Sequence, residues 1–159
     1  MIVGIGTDVC SIERIGKSLE RFGDRFVRRI LTSDERARFE RTRDKAGHLA
    51  KRFAAKEAFA KAIGTGIHAP FTWQSITVTR DSKGKPGIRP DAAMAKYLAS
   101  HGIDSFHISL TDDGGVAMAF VVLEGKARAL GSGPSWSTSR ASSSRPTTSS
   151  ACSIRRWAA

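Results

Sequence analysis

Arg52-Phe53-Ala54-Ala55-Lys56-Glu57-Ala58-Phe59-Ala60-Lys61-Ala62-Ile63, closed by Gly64-Thr65-Gly66, decides how this chain is read. Alanine is the strongest helix former, and a glycine directly after the run supplies the left-handed stop. The stretch predicts one long helix over about Ala46 to Ile63. Phe53, Glu57 and Lys61 stand at i, i+4 and i+8, so carboxylate and ammonium project near one another from one face. Two readings stand. A solvent-facing ion pair would contribute only about 0.3–0.5 kcal/mol. The surrounding alanines instead imply a helix packed closely on several sides, where two such charges need a role or a partner.

Upstream, Met1-Ile2-Val3-Gly4-Ile5-Gly6 begins apolar with no basic flank and reads as a buried strand rather than a signal peptide. Its apolar content to residue 10 is Ile2, Val3, Ile5 and Val9. Asp8 closes this strand beside two glycines. It serves either as a turn or cap residue or as a metal ligand, since glycine lets backbone and a bulky ligand approach. Mg²⁺ takes one or two protein carboxylates and fills its other positions with water and phosphate oxygens, and Asp8 with Glu57 would suit it.

From Ser11 the period changes to three and four: Ile12, Ile15, Leu19, Phe22, Phe26 and Ile30 form one helical stripe, which Gly23 divides. Beside it run Arg14, Lys17, Arg21, Arg25 and Arg28, hardly interrupted by Glu13, Glu20 and Asp24. A basic face can simply be solvated, but a contiguous one suits docking against something acidic. Thr32-Ser33-Asp34-Glu35 matches a capping box and opens a short helix. Beyond the long helix, Ile76 to Thr79 alternates as a strand and Asp81-Ser82-Lys83-Gly84 is turn chemistry. Asp91 opens a helix over Ala92 to Ser100, stopped at Gly102. Strands over about Ser105–Thr111 and Val116–Leu123 follow, joined by Asp112-Asp113-Gly114-Gly115 as a hairpin.

The 159 residues allow one modest core, and no apolar run reaches the ~18 residues of a membrane span. Past Gly131 the pattern collapses into Ser, Thr, Arg and Ala, so residues 127–159 are read as a disordered tail behind a domain over 1–126. Cys10 and Cys152 are far apart and lie in unlike segments, which predicts no disulfide framework and a reducing cytoplasm. The net charge is +11, and only Arg140, Arg145, Arg155 and Arg156 of the basic residues lie in the acid-free stretch past Gly131. The folded part is itself basic and attracts polyanions, whether nucleic acid, phosphorylated cofactor or acidic protein.

Together these residues resemble the holo-acyl-carrier-protein synthase family, the small trimeric branch of the phosphopantetheinyl transferases. The matching elements are Gly4 to Asp8, Arg14-Ile15, Phe53 to Gly66, Gly84-Lys85-Pro86 and Ser109-Leu110-Thr111-Asp112, in order over about residues 1–125. The resemblance implies an α+β fold: a small antiparallel sheet packed with a long central helix and shorter helices. It implies transfer of 4′-phosphopantetheine from coenzyme A to a serine of an acyl carrier protein, in support of fatty acid biosynthesis. In it, Asp8 and Glu57 bind Mg²⁺ at the coenzyme A pyrophosphate, and Lys61 steadies the β-phosphate, so that Asp8, Glu57 and Lys61 form the catalytic set. Arg52 and Lys56 serve the nucleotide end, Gly64-Thr65-Gly66 forms part of the cofactor wall, and Thr111 completes the cofactor contacts. Arg14, Arg21 and Arg25 dock the acidic carrier protein, and the sites lie between subunits of a homotrimer. Asp112 stands where some relatives carry histidine, so that histidine's phosphate contact does not transfer.

Two other classes compete. A nucleic-acid-binding module would explain the charge, but the core offers only Tyr97 and Trp73 beside its phenylalanines and no recognisable nucleic-acid motif. A catalytically silent carrier-binding protein is opposed by the intact Asp8, Glu57 and Lys61.

Overall fold

The computed structural model describes residues 1–126. The elements run β1 (Ile2–Ser11), α1 (Ile12–Ile30), α2 (Ser33–Glu40), α3 (Lys45–Ile63), β2 (Ile76–Arg80), β3 (Pro86–Pro90), α4 (Ala92–Ser100), β4 (Ile103–Asp113) and β5 (Val116–Gly125). An antiparallel sheet of order β1-β5-β4 carries α3 on its inner face, and β2 pairs with β3 in a separate two-stranded sheet. This is the α+β architecture expected. The tail over 127–159 lies outside the described residues.

The termini of the helices follow the local chemistry. Thr32 and Glu35 form the reciprocal capping box, Asp91 caps α4 by accepting from the Met94 amide, and Gly64 ends α3 at φ 79°. Gly23 sits at φ 53°, ψ −137°, so α1 is two helical pieces joined at a kink. Gly114 and Gly115, at φ 55° and 80°, make the tight β4–β5 turn that only such residues adopt cheaply. The strand β3 has no counterpart among the sequence expectations. Two prolines and a glycine in five residues read as a breaker, yet they are tolerated in a two-stranded sheet where half the backbone groups face outward.

The first strand reverses its expected polarity. Ile2, Val3, Ile5 and Val9 are 56%, 40%, 55% and 54% exposed, whereas Gly6, Asp8 and Cys10 face the core. The reason is the crossing with α3. A Cβ on Gly4 would lie 2.2 Å from the Ala62 carbonyl oxygen, and one on Gly6 would lie 1.9 Å from that of Ala58. At Gly4 and Gly6 the strand touches the helix backbone directly, so these two positions must be glycine, and the large apolar side chains lie on the other face. Ala54, Ala55, Ala58, Ala60, Ala117 and Ala119 are fully buried, which keeps the helix and sheet close along this seam.

Gly6→Ala therefore overpacks a backbone contact and should cost at least about 2 kcal/mol of stability in urea titration. Gly16→Ala is the matched control: its Cβ would lie 3.7 Å from the Ala46 Cβ, an ordinary contact, and helix propensity favours it. Equal effects of the two changes would contradict this account of the crossing.

Candidate active site

The close crossing brings a strand carboxylate to a helix ammonium. Along β1, two residues toward the C-terminus correspond to four residues back along α3, from Gly4 over Ala62 to Gly6 over Ala58. Helical side chains lean toward the N-terminus, so Glu57 and Lys61 reach toward the level of Asp8. Lys61 Nζ donates to Asp8 Oδ1 at 2.8 Å and to the Thr7 carbonyl at 2.9 Å. Lys61 thus pairs across the crossing with Asp8, and Glu57 is not solvent-facing but 8% exposed. The side chain of Asp8 is buried while that of Lys61 is 41% exposed, so this cluster opens to solvent on the lysine side.

Burial governs the electrostatics of the inward groups of β1. Burial pushes the Asp8 carboxyl above its ordinary value, and the hydrogen bond and charge of Lys61 oppose this only in part. Cys10, the next inward residue of β1, is a free thiol pushed up to about 12. Burial is the main cause; the negative charges of Asp8 and Glu57 add to it, and Arg14 opposes. At that value the thiol is inert. Among the described residues no group of three or more His, Cys, Asp or Glu could hold a metal. Two carboxylates, Asp8 and Glu57, match the donor number and hardness that Mg²⁺ asks of a protein.

Lys56 corrects an expectation. It is wholly buried, and its ammonium donates to Ile30 O at 2.6 Å, Glu35 Oε2 at 2.7 Å and Trp73 O at 2.7 Å. With three protons engaged inside the protein, it presents nothing to a nucleotide. Burial lowers its pKa and the Glu35 carboxylate opposes. Arg52 is placed differently. Its Nε makes no hydrogen bond and lies 3.9 Å from Glu35 Oε1, and burial lowers the guanidinium to about 10. It lines a cavity of about 300 Å³ with Arg38, Thr42, Asp44, His48, Lys51 and Arg80. Sequence reasoning missed these lining residues, since they come from three elements and carry no common spacing. Lys51 also reaches Asp112 at 2.9 Å, tying the end of β4 to α3 across 61 residues of chain.

The remaining expected residues fall on two other surfaces. Gly64-Thr65-Gly66 is the turn closing α3 just beyond Lys61, with Gly66 N donating to Ala60 O and positive φ at both glycines. Thr111 is exposed and sits across Met118 from Val9, on the sheet face opposite Asp8. One chain does not bring it to the Asp8 cluster. On α1, Lys17 is paired with Glu13 and Arg28 with Asp24, which leaves Arg14, Arg21 and Arg25 exposed without an ion pair.

A family model, the 4′-phosphopantetheinyl transferase superfamily, matches residues 4–123, spanning every element from β1 to β5. The chain belongs to this superfamily. A relative from Thiobacillus denitrificans named holo-[acyl-carrier-protein] synthase is 49% identical over 124 residues, covering 78% of this chain and 95% of that protein. The crystal structure of holo-[acyl-carrier-protein] synthase from Neisseria meningitidis superposes with a TM-score of 0.76 at 44% identity, covering 78% of this chain and 99% of that one. The Bacillus anthracis enzyme, in complex with CoA (3′,5′-ADP), gives a TM-score of 0.68 at 36% identity, covering 79% and 99%. Family membership thus rests on the same span that builds the Asp8–Lys61 crossing.

His48, in the cavity wall, gives a pH signature. Thr42 Oγ1 donates its proton to Arg38 O, so His48 Nδ1–H donates to Thr42 Oγ1. Burial, with the charges of Arg52, Lys51, Arg80 and Lys45, lowers its pKa from 6.5 to about 4. The unfolded chain takes up the proton before the folded one, so this residue's contribution falls as pH drops from 6.5 to about 4. His48→Gln should flatten the melting temperature against pH in that window. An unchanged slope would contradict the assignment.

Proposed function

We propose that this chain is a holo-[acyl-carrier-protein] synthase, transferring the 4′-phosphopantetheine of coenzyme A to a serine of apo-acyl carrier protein with release of 3′,5′-ADP. The observation that carries the reading is the buried Asp8 held by Lys61, with Glu57 buried on the same helix as Lys61, in a chain whose relatives bear that name. Asp8 and Glu57 would hold Mg²⁺, which when bound supplies positive charge to offset that of the pyrophosphate. Lys61, partly exposed, turns its remaining donor capacity to the β-phosphate oxygens. The carrier serine attacks the β-phosphorus, and the bond to the departing 3′,5′-ADP breaks. Arg52 and its basic cavity take the nucleotide end, and the Gly64–Gly66 turn walls the site beyond Lys61. Holding both substrates in line and stabilising the developing charge supply most of the rate.

Arg14, Arg21 and Arg25, exposed on one helix without ion pairs, are the docking surface for the acidic carrier protein. The working form is a homotrimer. This is supported by the outer sheet face, where Ile5, Val9, Val116, Met118 and Phe120 are exposed together, more apolar surface than a lone soluble chain leaves open. Thr111 lies on that same face, where a neighbouring subunit would receive it. No described helix is long and apolar enough to cross a membrane. The enzyme works in the cytoplasm in support of fatty acid biosynthesis.

Mass spectrometry of apo-carrier protein with this enzyme, coenzyme A and Mg²⁺ should show a gain of about 340 Da, the phosphopantetheine addition. The gain should vanish with EDTA and fall at least about a hundredfold in rate for Lys61→Ala. No gain with several folded carrier proteins would overturn the reading in favour of a silent carrier-binding protein. Phe120→Glu places a charge on the apolar face. It should give monomers by light scattering and lose most transfer activity; a trimer unaffected by it would contradict the assembly.

A further inference from the structure

The last turn of α1 ends on four consecutive carbonyls that no residue of that helix can satisfy. Side chains from elsewhere take all of them. Gln74 Nε2 shares its two protons among Arg28 O at 2.9 Å, Arg29 O at 3.0 Å and Leu31 O at 3.1 Å. Lys56 Nζ donates to the fourth, Ile30 O, at 2.6 Å. The two donors are themselves joined, because Lys56 also holds the carbonyl of Trp73, the residue before Gln74. A second layer fixes Lys56: Glu35 Oε2 accepts from it and from the Thr32 amide, while Glu35 Oε1 accepts from the Val78 amide. A buried ammonium is costly unless fully paired, and the negative end of a helix is where such a charge is best placed.

The clamp has a particular target. Gly23 breaks α1, so the piece after it does not inherit its direction from the piece before it. That second piece carries exposed Arg25, and what fixes its far end is Lys56, the residue before Glu57. We propose that Lys56 and Gln74 are positioning residues that set the carrier-docking end of α1 at a fixed distance from the Glu57 carboxylate. The inference rests on the carrier-docking reading of α1. Neither residue touches substrate; both act through the helix they hold.

Gln74 is exposed, so Gln74→Met keeps the fold while removing the donor. KM for apo-carrier protein should rise about fivefold, the scale of one net hydrogen bond. KM for coenzyme A and kcat at saturating carrier should stay within about twofold of the parent, since no group at the phosphates is changed. Amides of residues 27–31 should exchange faster while those of 53–60 keep their protection. Unchanged carrier KM despite faster exchange, or a parallel rise in coenzyme A KM, would overturn the proposal. Arg25→Glu separates the failures. If it leaves carrier KM unchanged, the docking reading of α1 falls and takes this inference with it. If it raises carrier KM and Gln74→Met does not, the clamp alone is refuted.

Discussion

Direct contact between the backbone of β1 and the backbone of α3 is the constraint from which the rest follows. Helix and strand normally keep a layer of side chains between them; here Gly4 and Gly6 remove it. Because the helix lies so close, a carboxylate one step further along the strand, Asp8, meets an ammonium on the helix at 2.8 Å. The same closeness demands alanine along α3 and on β5, and it turns Ile5 and Val9 out of the core. The exposed apolar sheet face is thus a consequence of the close crossing.

Charge is distributed in two buried groups with different duties. Asp8, Glu57 and Lys61 lie at the edge of the core, where one partner is open to solvent and the pair can be rearranged by a ligand. Glu35, Lys56 and Arg52 lie deeper, and there Lys56 has spent every donor on protein acceptors. Neighbours in sequence, Lys56 and Glu57 face different groups because successive helical residues point about 100° apart. That angular step lets one helix serve as both scaffold and reactive surface.

Much of this was legible in the sequence because the signals are local. The long helix, its glycine stop, the capping box at Thr32, the kink at Gly23 and the Gly114-Gly115 turn each depend on residues a few positions apart. The pairing of Lys61 with Asp8, 53 residues away, depends on the crossing, and helical spacing alone could not reveal it. Lys56 was legible as a helical lysine beside Glu57, but nothing in its spacing reveals that Ile30 and Trp73 supply its acceptors. Apolar residues in β1 read as core because burial usually follows hydrophobicity; the two glycines read as permitting a close approach, but not that of the α3 backbone, which inverts the strand. Resemblance reached further than periodicity did, since it grouped Asp8 with Lys61, which the structure joins at 2.8 Å.

Binding of Mn²⁺, a spectroscopically visible oxygen-preferring substitute for Mg²⁺, tests most directly whether the β1–α3 crossing builds a metal-dependent transfer site. Electron paramagnetic resonance titration in the presence of coenzyme A should give one bound ion per chain. Asp8→Asn and Glu57→Gln, each checked for fold, should weaken that binding at least about tenfold. Two variants that both bind Mn²⁺ as the parent does would contradict the account, because the carboxylates assembled by the crossing would then not be the ones that hold the ion.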